Sequence, residues 1–225
     1  MTQRFERQLA LVGAGGQRAL GDACVAVVGC GGLGSSVIMN LVSAGVGHLI
    51  LIDGDVVSES NLNRQFIHAG SVGEPKVDSA RRWIDLLDPD CIVDVVGKFL
   101  DHSDTDVLKD ADIVVDCLDD PMDRVMLGRM CIDAGKVLVH GAIDSYHGQV
   151  AVIRPEDVLR MDHIYPKPSS GGVHHAISPA VSIIGSMQAN EVINIIIGSD
   201  NGLRDEIMSV DLSDYSVTRY RIGQR

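Results

Sequence analysis

A glycine-rich segment carries the strongest chemical signal in the sequence. Residues 29–34 read Gly-Cys-Gly-Gly-Leu-Gly and fit the pattern G-x-G-x-x-G, in which glycines let backbone N–H groups approach a phosphate. The segment follows a short apolar run and precedes a predicted helix, which is the context that the pattern requires. Asp53 ends the next apolar run, where a carboxylate can accept hydrogen bonds from ribose hydroxyls. These residues predict a nucleotide site, and the alternative is that the glycines only allow close packing.

Two cations decide which nucleotide is expected. Arg64 lies in the segment Ser-Asn-Leu-Asn-Arg-Gln at 60–65, and Lys76 ends the segment Gly-Glu-Pro-Lys at 73–76. The pyrophosphate of NAD would already rest on the glycine segment, whereas the three phosphates of ATP need further positive charge. Either residue alone could be a solvated surface charge. Both lie in polar turns at the predicted carboxyl end of the sheet, where ligands bind, and therefore favour ATP.

A cluster of carboxylates follows a later apolar run. Residues 116–120 read Asp-Cys-Leu-Asp-Asp, just before Pro121. Carboxylates beside phosphates are typical of Mg²⁺ sites, because Mg²⁺ prefers oxygen ligands and bridges substrate phosphates. Asp119 or Asp120 could instead cap the helix that begins near Pro121. Both interpretations stay open, and the two residues could divide the two roles.

The elements that would position these residues alternate along the chain. Apolar runs predict strands, and stretches with helical periodicity separate them; Pro75 opens one such helix, with Val77, Ala80, Ile84 and Leu87 facing inward. The predicted strands are 24–29, 48–53, 91–96, 113–117, 137–140, 149–153, 206–211 and 216–222. The other predicted helices are 35–44, 104–109, 122–134 and 178–197. This alternation predicts an α/β fold with a doubly wound, Rossmann-like, mostly parallel sheet and a C-terminal antiparallel extension.

The length favours one domain. We expect residues 1–225 to form a single domain with a nucleotide-binding core at 24–153, a crossover loop at 154–176, and a helix and hairpin at 177–225. The crossover loop is rich in proline, serine and glycine, and loops of this length in compact domains are usually functional.

Composition excludes several classes of partner. The formal net charge is −12, which argues against binding nucleic acid or an anionic membrane surface. The first residues lack the apolar core of a signal peptide, and polar residues interrupt the apolar stretch 180–198, so no membrane span is expected. The five cysteines include no C-x-x-C pair and indicate reduced thiols in a cytoplasmic protein.

Taken together, the motifs resemble those of the E1-like adenylyltransferase family, which includes the ThiF, MoeB and HesA enzymes and the adenylation domains of ubiquitin-activating enzymes. The resemblance covers nearly the whole chain and is most specific at residues 60–65 with the downstream Lys76. It also includes Arg-Phe-Glu-Arg-Gln at 4–8, Gly16-Gln17 with Leu20, residues 29–34, 44–55 and 73–76, the acidic segment 116–120 with Arg124, and residues 178–198.

The resemblance implies a set of roles. ATP and Mg²⁺ are expected, with a carboxylate attacking the α-phosphate to give an acyl-adenylate and pyrophosphate. The implied catalytic residues are Arg64, Lys76, Asp119 as the Mg²⁺ ligand, and Arg7, which would reach the nucleotide of the neighbouring chain in a homodimer. The implied nucleotide-binding residues are Gly29, Gly31, Gly32, Leu33, Gly34, Asp53, Asp55, Asn61, Arg64, Gln65, Lys76, Leu118 and Asp119.

The sequence departs from the family pattern in its last third. Many members bind structural zinc through two C-x-x-C pairs, but this chain has no cysteine after Cys131, so no structural zinc is expected. Members that form a thioester keep a cysteine in the crossover loop, where this chain carries His174-His175. These histidines could bind a metal or be ordinary loop residues. Asp120 stands where the family usually has asparagine.

Several functions remain compatible with these features. The first prediction is ATP-dependent adenylation of the C-terminal glycine of a ubiquitin-like sulfur-carrier protein. The alternative is a small-molecule carboxylate, as in the E1-like enzyme of the iron-guanylylpyridinol cofactor pathway, with a separate thiol-bearing acceptor protein. The absence of a cysteine in the crossover loop and of the cysteine ligands for zinc partly favours this alternative. A non-catalytic nucleotide-binding subunit is disfavoured because the implied ATP-site residues are all present. An NAD oxidoreductase is disfavoured because no catalytic histidine or lysine in a substrate domain supports it.

Overall fold

The strands form one sheet in the part of the chain that the computed structural model describes, residues 3–169 and 175–221. The sheet has eight strands: β1 (Cys24–Val28), β2 (His48–Ile52), β3 (Ile92–Val96), β4 (Ile113–Asp116), β5 (Val137–Asp144), β6 (His147–Ile153), β7 (Glu206–Asp211) and β8 (Ser216–Arg221). Their order is β3-β2-β1-β4-β5-β6-β7-β8. The pairs from β3 to β5 are parallel, and those from β5 to β8 are antiparallel. This arrangement confirms the predicted fold class.

Helices cover both faces of the sheet. They are α1 (Glu6–Asp22), α2 (Gly32–Ala44), α3 (Lys76–Leu87), α4 (Pro121–Asp133), α5 (Met161–Ile164) and α6 (Ser178–Ile196). Strands β1 and β4 are buried throughout, as expected for parallel strands between two helical layers. The chain crosses from one side of β1 to the other between β3 and β4, so the crevice at the carboxyl ends of β1 and β4 is a topological switch point.

Close packing of two helices sets the position of the glycine segment. A Cβ atom on Gly185 of α6 would lie 2.6 Å from the Cβ atom of Ser36 in α2, so only glycine permits this approach. The Ser36 hydroxyl also donates to the carbonyl of Ser182 at 3.0 Å. Helix α6 therefore holds α2 against the sheet, with the first turn of α2 at the switch point.

The structure differs from the sequence-based expectations in several places. Helix α1 was not predicted, and it is kinked at Gly13, which has a φ of +71°. Leu87, predicted to face inward, is 38% exposed because α3 ends there. The predicted helix at 104–109 is a single turn of 3₁₀ helix, Thr105–Leu108. The crossover loop contains the short helix α5. Among the described residues, no helix is long and apolar enough to cross a membrane.

Candidate active site

The glycine segment forms a tight loop between β1 and α2. Gly29 has a φ of +96°, and a Cβ atom there would lie 2.6 Å from the carbonyl oxygen of Cys117. A Cβ atom on Gly34 would lie 2.0 Å from the carbonyl oxygen of Gly29. Close packing alone therefore explains these two glycines. A Cβ atom on Gly31 would meet only Gln65 Nε2, at 3.5 Å, so the middle of the loop stays open towards the neighbouring cleft.

This cleft lies at the switch point, along the carboxyl ends of β1, β2 and β4. Most of the predicted nucleotide-binding residues line it: Gly29, Gly31, Gly32, Leu33, Asp53, Asp55, Arg64, Gln65, Lys76, Leu118 and Asp119. Gly34, Asn61 and Arg7 are not among the lining residues. Segments far apart in sequence thus come together at one edge of the sheet.

Asp53 ties the glycine loop to the end of β2. One of its carboxylate oxygens accepts from the backbone N–H of Cys30 at 2.7 Å, and the other accepts from the N–H of Asp55 at 2.8 Å. The side chain is only partly buried and lines the cleft. Its remaining lone pairs can therefore accept from a ligand hydroxyl group.

The two predicted cations both lie beside the loop. Lys76 is only 6% exposed, and its Nζ atom lies 2.7 Å from Asp55 Oδ2. The Arg64 guanidinium donates to the Ser60 carbonyl at 3.1 Å and to Asn63 Oδ1 at 2.8 Å, and it forms no ion pair with any described carboxylate. Its positive charge is therefore available to an anionic ligand.

Two neighbouring polar residues differ in what they do. Gln65 is 4% exposed, and its Oε1 atom has no hydrogen-bond partner among the described residues. An orphaned buried acceptor that lines a cleft suits a ligand or water that donates to it. Asn61 instead shapes the turn, because its side-chain oxygen accepts from the N–H of Ser58 at 3.0 Å and its carbonyl accepts from the N–H groups of Arg64 and Gln65.

The two adjacent carboxylates Asp119 and Asp120 have different surroundings. The Asp120 side chain accepts from the N–H of Met122 at 2.7 Å and caps α4. Asp119 is exposed and lines the cleft together with Asp123. Burial, followed by the charges of Asp120, Asp119 and Asp116, raises the pKa of Asp123, so several carboxylates share this corner of the cleft. A site with one or two carboxylates beside bound phosphates suits Mg²⁺, which takes its other ligands from phosphate and water.

A buried histidine that the sequence analysis did not identify supports the glycine loop. His68 Nε2 lies 2.7 Å from the Cys30 carbonyl, and Nδ1 lies 3.0 Å from the Ser79 hydroxyl of α3. Burial lowers the pKa of His68, so the neutral ring can donate through Nε2 and accept through Nδ1. Its only sequence signal was its place three residues after Gln65.

The far wall of the cleft is mostly apolar and was not predicted from the sequence. Phe99, Leu100, Met126 and Leu127 line it together with Lys98. Phe99 is 69% exposed, and a Cβ atom on Gly54 would lie 2.8 Å from its ring. The ring therefore rests on the backbone next to Asp53.

The N-terminal arginines lie at the opposite edge of the sheet. Arg4 forms an ion pair with Asp88 at 3.0 Å, and Gln8 Nε2 donates to the carbonyl of Ala44, the last residue of α2, at 2.7 Å. Arg7 is exposed and has no hydrogen bond or ion pair with a described residue. Since α2 begins at the cleft and runs for 13 residues, its far end is about 20 Å away. The segment that carries Arg7 therefore lies far from the cleft of its own chain.

The cysteines, and the histidines of the crossover loop, are the remaining candidate ligands. All five cysteines are buried and free. Cys117 lines the cleft, but burial raises the pKa of its thiol well above the ordinary range. His175 is exposed, and its carbonyl accepts from the N–H of Ser145 at 2.6 Å. His174 lies outside the described residues.

The chain matches a family model and curated proteins over most of its length. The ThiF family model matches residues 5–225. The chain is 34% identical over 220 residues to the SAMP-activating enzyme E1 of Haloferax volcanii, covering 94% of this chain and 82% of that protein. It is 36% identical over 217 residues to the molybdopterin-synthase adenylyltransferase of Escherichia coli, covering 92% and 87%.

Solved structures show the same fold at lower identity. PaaA superposes with a TM-score of 0.84 at 23% identity, covering 99% of this chain and 74% of its own. Escherichia coli MccB, in a crystal structure with MccA-N7isoASN, superposes with a TM-score of 0.86 at 19% identity, covering 100% of this chain and 73% of its own. The matches of sequence and fold confirm the resemblance, and the chain belongs to the ThiF family of E1-like adenylyltransferases.

Proposed function

We propose that this protein uses ATP to adenylate the C-terminal carboxylate of a ubiquitin-like carrier protein. The observation that carries the proposal is the convergence of Arg64, Lys76 and Asp119 on one cleft beside the glycine loop. The relatives support a protein substrate, since one is named for activating SAMP and the other for acting on molybdopterin synthase.

The cleft offers a place for each part of ATP. The open centre of the glycine loop at Gly31 and the start of α2 present backbone N–H groups to a phosphate. Asp53 can accept from the ribose hydroxyls, and the apolar wall around Phe99 and Leu100 can cover the adenine base. The unpartnered Oε1 atom of Gln65 can accept a hydrogen bond from the nucleotide or from a bridging water.

The reaction needs positioning and charge neutralisation rather than a nucleophilic side chain. A carboxylate oxygen of the substrate forms a bond to the α-phosphorus, and the bond from that phosphorus to the bridging oxygen of the β-phosphate breaks. Pyrophosphate leaves with the electron pair. Lys76 and Arg64 would neutralise the charge that develops on the leaving phosphates, because both cations lie beside the loop.

Asp119 is the proposed ligand of Mg²⁺, with Asp123 beside it in the same cleft. When bound, Mg²⁺ would neutralise charge on the phosphates. The side chains of Asp119 and Asp123 would hold it on the face of the cleft that α4 borders, while Asp120 remains with the helix N-terminus.

We further propose a homodimer that completes each site with Arg7 of the neighbouring chain. Arg7 is exposed at the edge of the sheet away from its own cleft and has no partner among the described residues. Helix α6 also leaves Ile183 38% exposed, beside a concave surface that Met187, Leu203 and Met208 line. Apolar surface of this kind suits burial between subunits.

A small-molecule carboxylate is the second candidate substrate. The observation in its favour is that no cysteine follows Cys131 in the sequence, so the crossover loop has no thiol to receive the acyl group. The acyl group of a small carboxylate would then pass from the adenylate directly to a separate thiol-bearing acceptor protein.

Exchange of labelled pyrophosphate into ATP tests the proposal. We expect exchange that requires Mg²⁺ and a carrier protein ending in Gly-Gly, and no exchange with the same carrier shortened by its last glycine. Exchange that small carboxylates support and carriers do not would replace the first candidate by the second. Preferential binding of NAD over ATP in calorimetry would overturn both.

A further inference from the structure

A buried polar network connects the crossover loop to the floor of the cleft. It joins five side chains, Asp116 at the end of β4, Arg124 in α4, His140 in β5, Gln149 in β6 and Tyr165 after α5. Asp116 and His140 have no exposed surface, and Arg124 is 6% exposed. The proposed chemistry assigns no role to any of these residues.

One end of the network is a carboxylate. Asp116 Oδ2 lies 2.7 Å from His140 Nδ1, which donates to it. Burial lowers the pKa of His140, so the ring is neutral and its Nε2 atom accepts. Gln149 Nε2 lies 3.2 Å and the Tyr165 hydroxyl 3.4 Å from that atom. The Tyr165 ring also packs edge-on against the imidazole, with centroids 5.7 Å apart.

The other end is a cation with no carboxylate of its own. Arg124 Nη1 donates to the Tyr165 hydroxyl at 2.6 Å, and Gln149 Nε2 donates to the same oxygen at 3.1 Å. Arg124 forms no ion pair with any described residue. His140 and Tyr165 therefore bridge a buried negative charge on Asp116 and a buried positive charge on Arg124, and burial of both charges depends on the bridge.

The two charged ends meet again at one residue of the cleft. Asp116 Oδ1 accepts from the backbone N–H of Leu118 at 3.0 Å. Arg124 donates to the carbonyl of Leu118 through Nε at 3.1 Å and through Nη2 at 2.6 Å. The peptide groups on both sides of Leu118 are thereby fixed, and the next residue is Asp119, whose side chain lies in the cleft.

We propose that Tyr165 is a positioning residue for Asp119. The Tyr165 hydroxyl keeps Arg124 in the orientation in which it donates to the Leu118 carbonyl. The position of the crossover loop therefore determines the position of Asp119, the proposed metal ligand. This inference rests on the assignment of Asp119 under the proposed function. Replacing Tyr165 by Phe keeps the ring but leaves Arg124 Nη1 without its acceptor, which frees the guanidinium to move and release Leu118.

The test compares ATP binding with and without Mg²⁺ by calorimetry, in the absence of any carboxylate substrate. For Tyr165→Phe we expect the Kd for ATP to stay within about twofold of the wild type in EDTA, and to be about five- to tenfold weaker at saturating Mg²⁺. Asp119→Asn should show the same selective loss. Two controls should show neither change: Tyr215→Phe, at a tyrosine that is 84% exposed, and Ile153→Val, which removes one methylene group from the core beneath the network.

The outcomes separate this inference from the proposed function. An equal loss of affinity with and without Mg²⁺ would show that Tyr165 supports the whole cleft, and an unchanged Kd would show that it does not act on Asp119; either result overturns the inference. A wild type whose ATP affinity does not respond to Mg²⁺ also overturns it. Absence of pyrophosphate exchange with every carrier, together with a Mg²⁺-dependent defect of Tyr165→Phe, would overturn the proposed function and support the inference.

Discussion

Lys76 and Asp55 are joined twice at the rim of the cleft. The Lys76 ammonium lies 2.7 Å from Asp55 Oδ2, and the backbone N–H of Lys76 donates to the Asp55 carbonyl at 3.0 Å. The ion pair holds the nearly buried ammonium group of Lys76 in place beside the glycine loop. Such preorganisation lowers the cost of placing the charge during the reaction.

Lys76→Ala should lower the rate of pyrophosphate exchange by at least about a hundredfold, because it removes a fixed cation from the reacting phosphates. Asp55→Asn keeps the shape and an acceptor oxygen, so we expect a loss of about tenfold or less. The matched control is Arg82→Ala, on the same helix as Lys76, which breaks an exposed pair with Glu74 and should leave the rate within about twofold. A Lys76→Ala enzyme with nearly normal exchange would remove Lys76 from the proposed site.

The acidic cluster predicts opposite effects at adjacent residues. Asp119→Ala should abolish Mg²⁺-dependent exchange and leave thermal stability unchanged, because Asp119 is exposed in the cleft. Asp120→Ala should reduce the free energy of unfolding by about 1 kcal/mol, because it removes the cap of α4. Urea unfolding and exchange assays on both variants check this division. If Asp120→Ala proved inactive at full stability, the two roles would have to be reversed.

The proposed shared site predicts rescue between two inactive variants. Arg7→Ala and Lys76→Ala should each be inactive alone, and mixed dimers should regain one intact site from Arg7 of one chain and Lys76 of the other. Random mixing at equal amounts gives about a quarter of the wild-type activity, since about half of the dimers hold one good site. Subunit exchange is verified by native mass spectrometry. No recovery after verified exchange would exclude a role for Arg7 in the neighbouring site.

The buried thiols predict that no acyl group is carried on the enzyme. Burial raises the pKa of Cys24 and Cys91 to about 11 and that of Cys131 to about 12, so these thiols stay protonated and unreactive near neutral pH. Iodoacetamide at pH 7.5 should label none of the five cysteines in the folded protein and all five in urea. Intact mass spectrometry after turnover should show unmodified protein. A thiol-labile adduct on Cys117, the cysteine of the cleft, would contradict this prediction.

His68 predicts a specific dependence of stability on pH. Burial lowers the pKa of this histidine in the folded state, so on acidification the unfolded chain binds a proton that the folded chain does not. Stability is therefore lost as the pH falls below the ordinary histidine value of about 6.5, with a slope of up to about 1.4 kcal/mol per pH unit. His68→Gln removes this contribution but can still donate to the Cys30 carbonyl.

Urea unfolding at pH 7.5, 6.5 and 5.5 measures the effect. The wild type should be more stable than His68→Gln at pH 7.5, and the gap should narrow as the pH falls. His140 is also buried with a lowered pKa, but it is present in both proteins and cancels in the difference. Parallel curves would mean that His68 is protonated equally in the folded and unfolded chains.

The sequence by itself determined the fold class and most of the cleft. Alternating apolar runs and helical stretches are local patterns, and a parallel sheet brings the carboxyl ends of its strands to one edge. That rule suffices to place Gly31, Asp53 and Lys76 near one another. The N-terminal helix escaped prediction because Gly13, Gly15 and Gly16 interrupt its pattern and weaken the helical signal.

Only the tertiary structure decided the contacts between residues that are distant in sequence. Asp119 and Asp120 are chemically identical neighbours, and the direction of α4 assigns one to the cleft and the other to the cap. Tyr165 reaches Arg124, 41 residues away, only because the crossover loop packs over β5 and β6. Gln8, the residue after Arg7, contacts Ala44 because α1 packs at the far end of α2. Such contacts depend on how the helices pack on the sheet, which local residue patterns do not encode.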